Sequence, residues 1–341
     1  MDARESSGAP RKTPSWLFPL LGYAISIACL VWVYRGFDWR GELARLKATD
    51  WRWIWVSVVF DVLVYFVMGW RWNVLLSPLA RLPVMRTIQA VYIGLFANEA
   101  LPLRSGEVIR CYLLSRWSGL PFPMVLSSVV IERVLDGVWL LLGFFVAAQF
   151  VKLPGAMVQG GNVLLLIVLG LGGVIAWAVI HRSRAQAAVS RSRWAKALRH
   201  VVDGLHAMGR SRSFFGAVVL SFLYLALQVF PIWCLMRGYG LELSIWSAAT
   251  VLMVVRLASV PPQAPANLGS VQLATVLTLG LFGVDRAEAT GFATLLFVIV
   301  TGPLWLGGFI ALMATRMRLS QLHREAHGEE GAGRAPTTAD I

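Results

Sequence analysis

Apolar residues in this chain gather into runs that do not alternate as strand faces do and outlast the core helices of globular domains. Such runs occupy residues 16–35, 51–75, 122–150, 162–181, 213–236 and 287–315. A helix rises about 1.5 Å per residue, so about 20 residues cross a hydrocarbon core of roughly 30 Å. Each run predicts a full transmembrane helix, and the fold class is all-α and polytopic. A membrane β-barrel would instead show alternating segments of about ten residues.

Two apolar stretches are interrupted too early to cross. In 84–117 the leading limb, 84–97, reaches only about 21 Å as a helix. The polar stretch "NEALPLRSGEVIR" follows, broken by Pro102 and Gly106. In 244–283 the break is "PPQAPANLG", with Pro261, Pro262, Pro265 and Gly269. Both predict re-entrant hairpins, each made of two half-helices joined by a non-helical tip. Such backbone is tolerated at membrane depth only where protein or water covers it. Each hairpin lies between two spans, carries a Pro-x-x-x-Gly break and closes its second limb at a glycine, Gly119 or Gly283. The expected architecture is about six spans plus two hairpins in an inverted repeat. Repeat one covers about 51–150 and repeat two about 213–315, with span 162–181 supplying the inversion.

Outside the spans the pattern changes. Phe37, Trp39, Leu43 and Leu46 recur at helical spacing among charges, which predicts a short helix lying in the membrane interface. Tryptophans 51, 53, 55, 70 and 72 bracket the second span as interfacial aromatics do. Segment 182–212 holds eight basic residues against one acid, Asp203, and Arg316, Arg318 and Arg324 follow the last span. An excess of Lys and Arg marks cytoplasmic loops. That puts both termini in the cytoplasm of a multi-pass protein of the cell's inner membrane. Residues 1–15 read as a polar tail before a retained span, with no signal-peptide cleavage pattern. Residues 316–341 read as a disordered cytoplasmic tail.

Composition agrees with this picture. Charged residues make up 14% of the chain, against about 25% in an average soluble domain. A net charge of +13 would point to nucleic acid in a soluble protein. Here it follows from topology, so no nucleic-acid partner is inferred, and membrane phospholipids with anionic headgroups are the expected partner surface. Cys29, Cys111 and Cys234 show no metal or redox spacing and read as packing residues.

Charges placed within apolar runs are costly unless paired or wetted, so they are the candidate chemistry. Glu107 and Arg110 share a face of a hairpin limb. Glu132, Arg133 and Asp136 lie well inside 122–150, with Glu132 and Asp136 on one face. One reading has these groups, with Arg104 and the tip residue Asn98, lining a hydrated cavity that holds a phospholipid headgroup, arginines to phosphate. The other has a Glu–Arg network that pins the hairpin to span 122–150. Pro265, Asn267 and Gly269 are candidates for the cavity floor, because half-helix N-termini favour anions. The alternative there is a proline-kinked helix end satisfied by its neighbours. Asp61 and Arg256 each sit near the middle of an apolar segment, where a buried pair is conceivable. Gln228 is a weaker signal, and Arg71 reads as snorkelling to the cytoplasmic interface.

The ordered trio "NEALPLRSGEVIRCYLLSR", "VVIERVLDGVWLLL" and "PPQAPANLGSVQ" resembles the lysylphosphatidylglycerol synthase transmembrane-region family, also called flippase-like. The likeness runs from about residue 15 to 315. It implies the lipid-translocating half of the bifunctional proteins that make and flip aminoacylated phosphatidylglycerol. With no soluble acyltransferase segment after 315, it does not imply the aminoacyl-transferring chemistry. Two positions depart from the family pattern. Gln272 stands where an acid is usual after the second hairpin's glycine, and Phe297–Val298 where Tyr-Arg is frequent. If Gln272 helps to bind a headgroup, the ligand differs accordingly.

Enzyme signals are missing from the sequence. The five histidines form no convincing metal cluster, no phosphate-cradling loop is present, and no nucleophile–His–acid set is evident. No cofactor is expected. Three functions remain: a lipid translocase without its own ATPase, a membrane enzyme or enzyme subunit in lipid or glycan modification, and a scaffold for a separate lipid-modifying synthase. Paired broken helices favour the first.

Overall fold

A computed structural model describes residues 17–101, 105–151, 155–181, 183, 195–259 and 267–315. The tails 1–15 and 316–341 lie outside it, as do Arg104 and Pro265. Every regular element among the described residues is a helix. In chain order they are α1 (Leu17–Tyr34), α2 (Trp39–Ala48), α3 (Trp51–Leu76), α4 (Val84–Ala100), α5 (Gly106–Ser118) and α6 (Phe122–Phe150). Then follow α7 (Gly155–Ile180), α8 (Ala195–Gly209), α9 (Arg212–Tyr239), α10 (Ile245–Ala258), α11 (Ser270–Leu281) and α12 (Arg286–Thr315).

Among the described residues four stretches are long and apolar enough to cross a membrane: α3, Val158–Ile180 of α7, α9 and α12. Helix α6 has 29 residues but carries Glu132, Arg133 and Asp136 along its length. The limbs α4, α5, α10 and α11 have 17, 13, 14 and 12 residues. At about 1.5 Å per residue all four fall short of roughly 30 Å. Outward faces are apolar: Leu166, Val174 and Ile180 of α7, Phe215 of α9 and Ile310 of α12 all stand exposed. Water would not tolerate so continuous an apolar surface, and lipid does.

Helices α3 and α9 form the central seam and run antiparallel. The Asp50 N–H donates to Gly238 O at 2.9 Å, Ser57 Oγ donates to Pro231 O at 2.7 Å, and Arg71 donates to Ser221 Oγ at 3.3 Å. The remaining packing follows one rule on both sides of this seam. Helix α4 runs antiparallel to α12, with Gln89 Nε2 donating to Ala311 O at 3.2 Å and Phe96 edge-on to Trp305. Helix α10 runs antiparallel to α6, with Trp246 stacked on Phe150 and Met253 against Gly143. Thus α4 packs against α12 and α10 against α6. Two large buried apolar clusters stand out among the described residues. One holds Leu75, Val91, Leu114 and Val125, and the other Leu235, Val251, Leu279 and Phe292.

Glycine makes the first hairpin close. A Cβ on Gly94 would stand 2.7 Å from Gly106 O and 2.8 Å from Arg110 Cβ, well inside van der Waals contact. The hairpin therefore closes backbone against backbone, and Asn98 Oδ1 accepts the Gly106 N–H at 2.8 Å. Gly119 and Gly283 follow the second limbs, both with left-handed φ, +71° and +79°, a conformation that glycine adopts without a Cβ penalty.

Two local readings change. Segment 182–212 is more than a charged loop, because α8 buries Val202, Leu205 and Met208 against its neighbours. Gly204 abuts Ser127 and Met124 of α6, and His206 Nδ1 lies 2.7 Å from Val179 O. Helix α2 forms as its spacing predicts, with Asp38 capping the Arg40 N–H at 3.0 Å. Its polar side faces the protein: Glu42 accepts from the Tyr239 hydroxyl at 2.8 Å and Arg45 pairs with Glu288 at 3.3 Å. Trp39 and Leu43 point outward.

Candidate functional site

Six charged side chains meet where α3, α5 and α6 pack. Glu107 lies in the first turn of α5, where the helix dipole favours an acid. Arg110 follows one turn later and donates to Glu132 Oε2 at 2.8 Å. Arg71 of α3 donates to Glu132 Oε1 at 3.0 Å and also to Asp136. Arg133 pairs with Glu107 at 3.0 Å and lies 3.7 Å from Asp136. Three cations thus balance three anions. Exposure falls from 43% and 38% at the Arg133–Glu107 rim to 0% at Arg71 and Glu132. The guanidinium carbons of Arg71 and Arg110 each lie 4.7 Å from the ring centre of an aromatic, Tyr224 and Trp72 respectively.

Two sequence readings are corrected here. Arg71 does not snorkel to the interface. It is fully buried, because Glu132 and Asp136 meet it one helix away and make burial cheaper than reaching for water. Trp72 is not an interfacial belt residue. It is fully buried, covers Arg110, and donates its indole N–H to Ser128 Oγ at 2.8 Å. Trp51, Trp53, Trp55 and Trp70 remain exposed.

Beside this network lies a cavity of about 250 Å³. It is walled by α3, α9 and α12 and by the inner ends of the hairpins: the end of α4, the end of α10 and the 267–271 turn. Among the described residues its charged lining is Asp61, Glu99 and Arg256. Arg256 donates to Gln228 Oε1 and, at 3.4 Å, to the Tyr224 hydroxyl. Tyr65 donates to Val300 O at 3.3 Å. Asp61 is 5% exposed, and its Oδ2 has no hydrogen-bond partner. Tyr224 joins the two features, since its hydroxyl faces Arg256 and its ring lies under Arg71.

The sequence candidates divide between these places. Asn98 and Asn267 line the cavity, and Asn267 adopts a left-handed φ of 50°. With Asn98 Oδ1 held by Gly106, its amide nitrogen remains for the cavity. Glu107, Arg110, Glu132, Arg133 and Asp136 form the ionic network and are absent from the cavity lining. Gln272 is buried and accepts the Gly269 N–H at 2.7 Å, closing the start of α11. Gly269 has a φ of +92° and presses on the α1 backbone near Ser26. Arg104 and Pro265 lie outside the described residues. Asp61 and Arg256 do share a wall, yet no ion pair joins them, because Arg256 is turned toward α9.

Sequence reading did not single out Tyr65 or Tyr224. The available signal was spacing: Tyr65 is four residues from Asp61 and Tyr224 four from Gln228, which puts polar groups on one helix face inside apolar spans. Among the described residues no three His, Cys, Asp or Glu side chains converge as a metal site.

No solved structure matches the chain. Among curated proteins it is similar to UPF0104 membrane protein MJ1595 of Methanocaldococcus jannaschii, with 21% identity over 331 residues, covering 91% of this chain and 97% of the relative. The family model for the lysylphosphatidylglycerol synthase TM region matches residues 20–308. With nearly all of its helical body matched, the chain belongs to that family of integral membrane proteins.

Proposed function

We propose that this protein is a lipid translocase whose central cavity takes a phospholipid headgroup, the phosphate meeting Arg256. The observation that carries this reading is the cavity itself. It opens where the broken ends of two hairpins meet, and it presents an exposed guanidinium at its wall. Midplane sites built from broken helices recur in transporters, and arginine's planar fork suits phosphate.

The fold proposed with it has six spans and two half-crossing hairpins in an inverted repeat, α3–α6 against α9–α12. The antiparallel seam and the exchanged hairpin packing support that arrangement. The basic segment holding α8 lies on the cytoplasmic side in this reading, with the protein in the inner membrane. The ionic network serves to hold α5 against α3 and α6, and Asn98 and Asn267 serve as cavity donors.

The test is reconstitution. Purified protein in liposomes accelerates exchange of an acyl-labelled phospholipid between leaflets, and Arg256→Gln slows it at least tenfold while the variant keeps the wild-type elution profile. No acceleration for any phospholipid would end this reading and favour an enzyme subunit or a scaffold.

A further inference from the structure

The cavity shows opposite charges from different halves of the fold. Arg256 belongs to α10, is held by Gln228 and Tyr224 of α9, and stays exposed. Asp61 belongs to α3, lines the cavity and is 95% buried, with Oδ2 lacking a hydrogen-bond partner among the described residues. A buried carboxylate oxygen without a donor is among the costliest arrangements in a protein, more so at membrane depth. Arg256 does not supply the donor, since its hydrogen bonds go to α9. Arg71 does not either, since Glu132 and Asp136 hold it. Tyr65, one turn along α3, donates to Val300 O at 3.3 Å, and Oδ2 keeps no hydrogen-bond partner among the described residues. That leaves the donor to a ligand.

A phosphate is the wrong group for that place. It brings no donor, and Asp61 already places a carboxylate there. A primary ammonium supplies three N–H donors and a compensating charge. A volume of about 250 Å³ gives room for a small headgroup.

We propose that the cavity selects a zwitterionic phospholipid headgroup of the phosphoethanolamine type, with its phosphate at Arg256 and its primary ammonium donating to Asp61 Oδ2. This replaces the anionic headgroup expected from net charge, and it rests on the translocase reading.

The experiment compares acyl-labelled phosphatidylethanolamine, phosphatidylcholine and phosphatidylglycerol in proteoliposomes of one host lipid. Choline keeps the positive charge but has no N–H donor, so it isolates the bond to Asp61. A hydrogen bond to a charged group is worth about a tenfold preference, so phosphatidylethanolamine should move about tenfold faster than phosphatidylcholine. Asp61→Asn should remove the preference, Asp61→Glu should restore part of it, and Arg256→Gln should slow all three lipids. Lipid movement with the same preference in Asp61→Asn would overturn the proposal and leave the translocase reading standing. If no lipid moves, the translocase reading fails and the ligand class is read by thermal unfolding with soluble phosphoethanolamine, phosphocholine and glycerol phosphate. Stabilisation by phosphoethanolamine alone, lost in Asp61→Asn, supports the site. Equal shifts with all three compounds overturn it.

Discussion

Arg110 donates to Glu132 at 2.8 Å across the contact between α5 and α6, and neither side chain is more than 2% exposed. Glu132 is shared, because its other oxygen accepts from Arg71 at 3.0 Å. The two ends of the Arg110 bond are therefore not equivalent. Losing Glu132 strands Arg110 and leaves Arg71 with Asp136, whereas losing Arg110 leaves Glu132 with Arg71.

Glu132→Ala should lower stability by about 3–5 kcal/mol, the usual cost of orphaning a buried charge, and Arg110→Ala by clearly less. Replacing both with Met should be milder than Glu132→Ala alone, since Arg71 keeps Asp136. Thermal unfolding in detergent ranks the three. The half-exposed Arg45–Glu288 pair is the control, with Arg45→Ala expected to cost only about 0–1 kcal/mol.

Gly106→Ala should open the first hairpin. The new Cβ would stand 2.8 Å from Asn98 N and run into Gly94 O, and overpacking of this kind costs about 1–3 kcal/mol. Cys111, now buried on α5, reports the change. In a Cys29→Ser, Cys234→Ser background its maleimide reaction should be slow in the parent and faster in the Gly106→Ala variant.

At the second hairpin, Gln272→Ala should cost about 1 kcal/mol, because the Gly269 N–H loses its acceptor. Gln272→Glu should be close to neutral, since it keeps an oxygen in place. Gly269→Ala should be worse than either, as it combines a φ of +92° with a Cβ 2.5 Å from Ser26 O. Unfolding midpoints of the three variants check the order.

The turns after α3 and α9 should face opposite sides of the membrane. Ser77 follows α3, and Glu242 follows α9 near the start of α3. Single cysteines at these exposed sites should react with an impermeant maleimide from opposite sides, Ser77→Cys from the side of the basic segment. Labelling of both from one side would exclude the inverted arrangement.

Much of the helical body was legible because helix length and interruption are local properties. Pro102 with Gly106 and Pro265 with Gly269 mark the broken stretches, and limbs α4 and α10 begin where apolar patterning resumes after Pro83 and Ser244. Helix α2 was legible for the same reason, with Asp38 as its cap and its apolar residues at helical spacing. Helix α8 was missed because the count of basic residues in 182–212 masked the spacing of Val202, Leu205 and Met208.

By itself the sequence determined that the chain is helical, where its four long apolar helices lie, and which positions carry charges that need an explanation. Only the tertiary structure decided what those charges do. Hydropathy records the cost of burying Arg71 but not the acids that offset it, 61 and 65 residues further along the chain. Likewise Asp61 and Arg256 are two isolated polar residues in sequence, and they become one cavity wall only when α3, α9 and α10 pack together. Partners brought together by folding set the energy of a buried charge, and that is why the site came from packing and not from pattern.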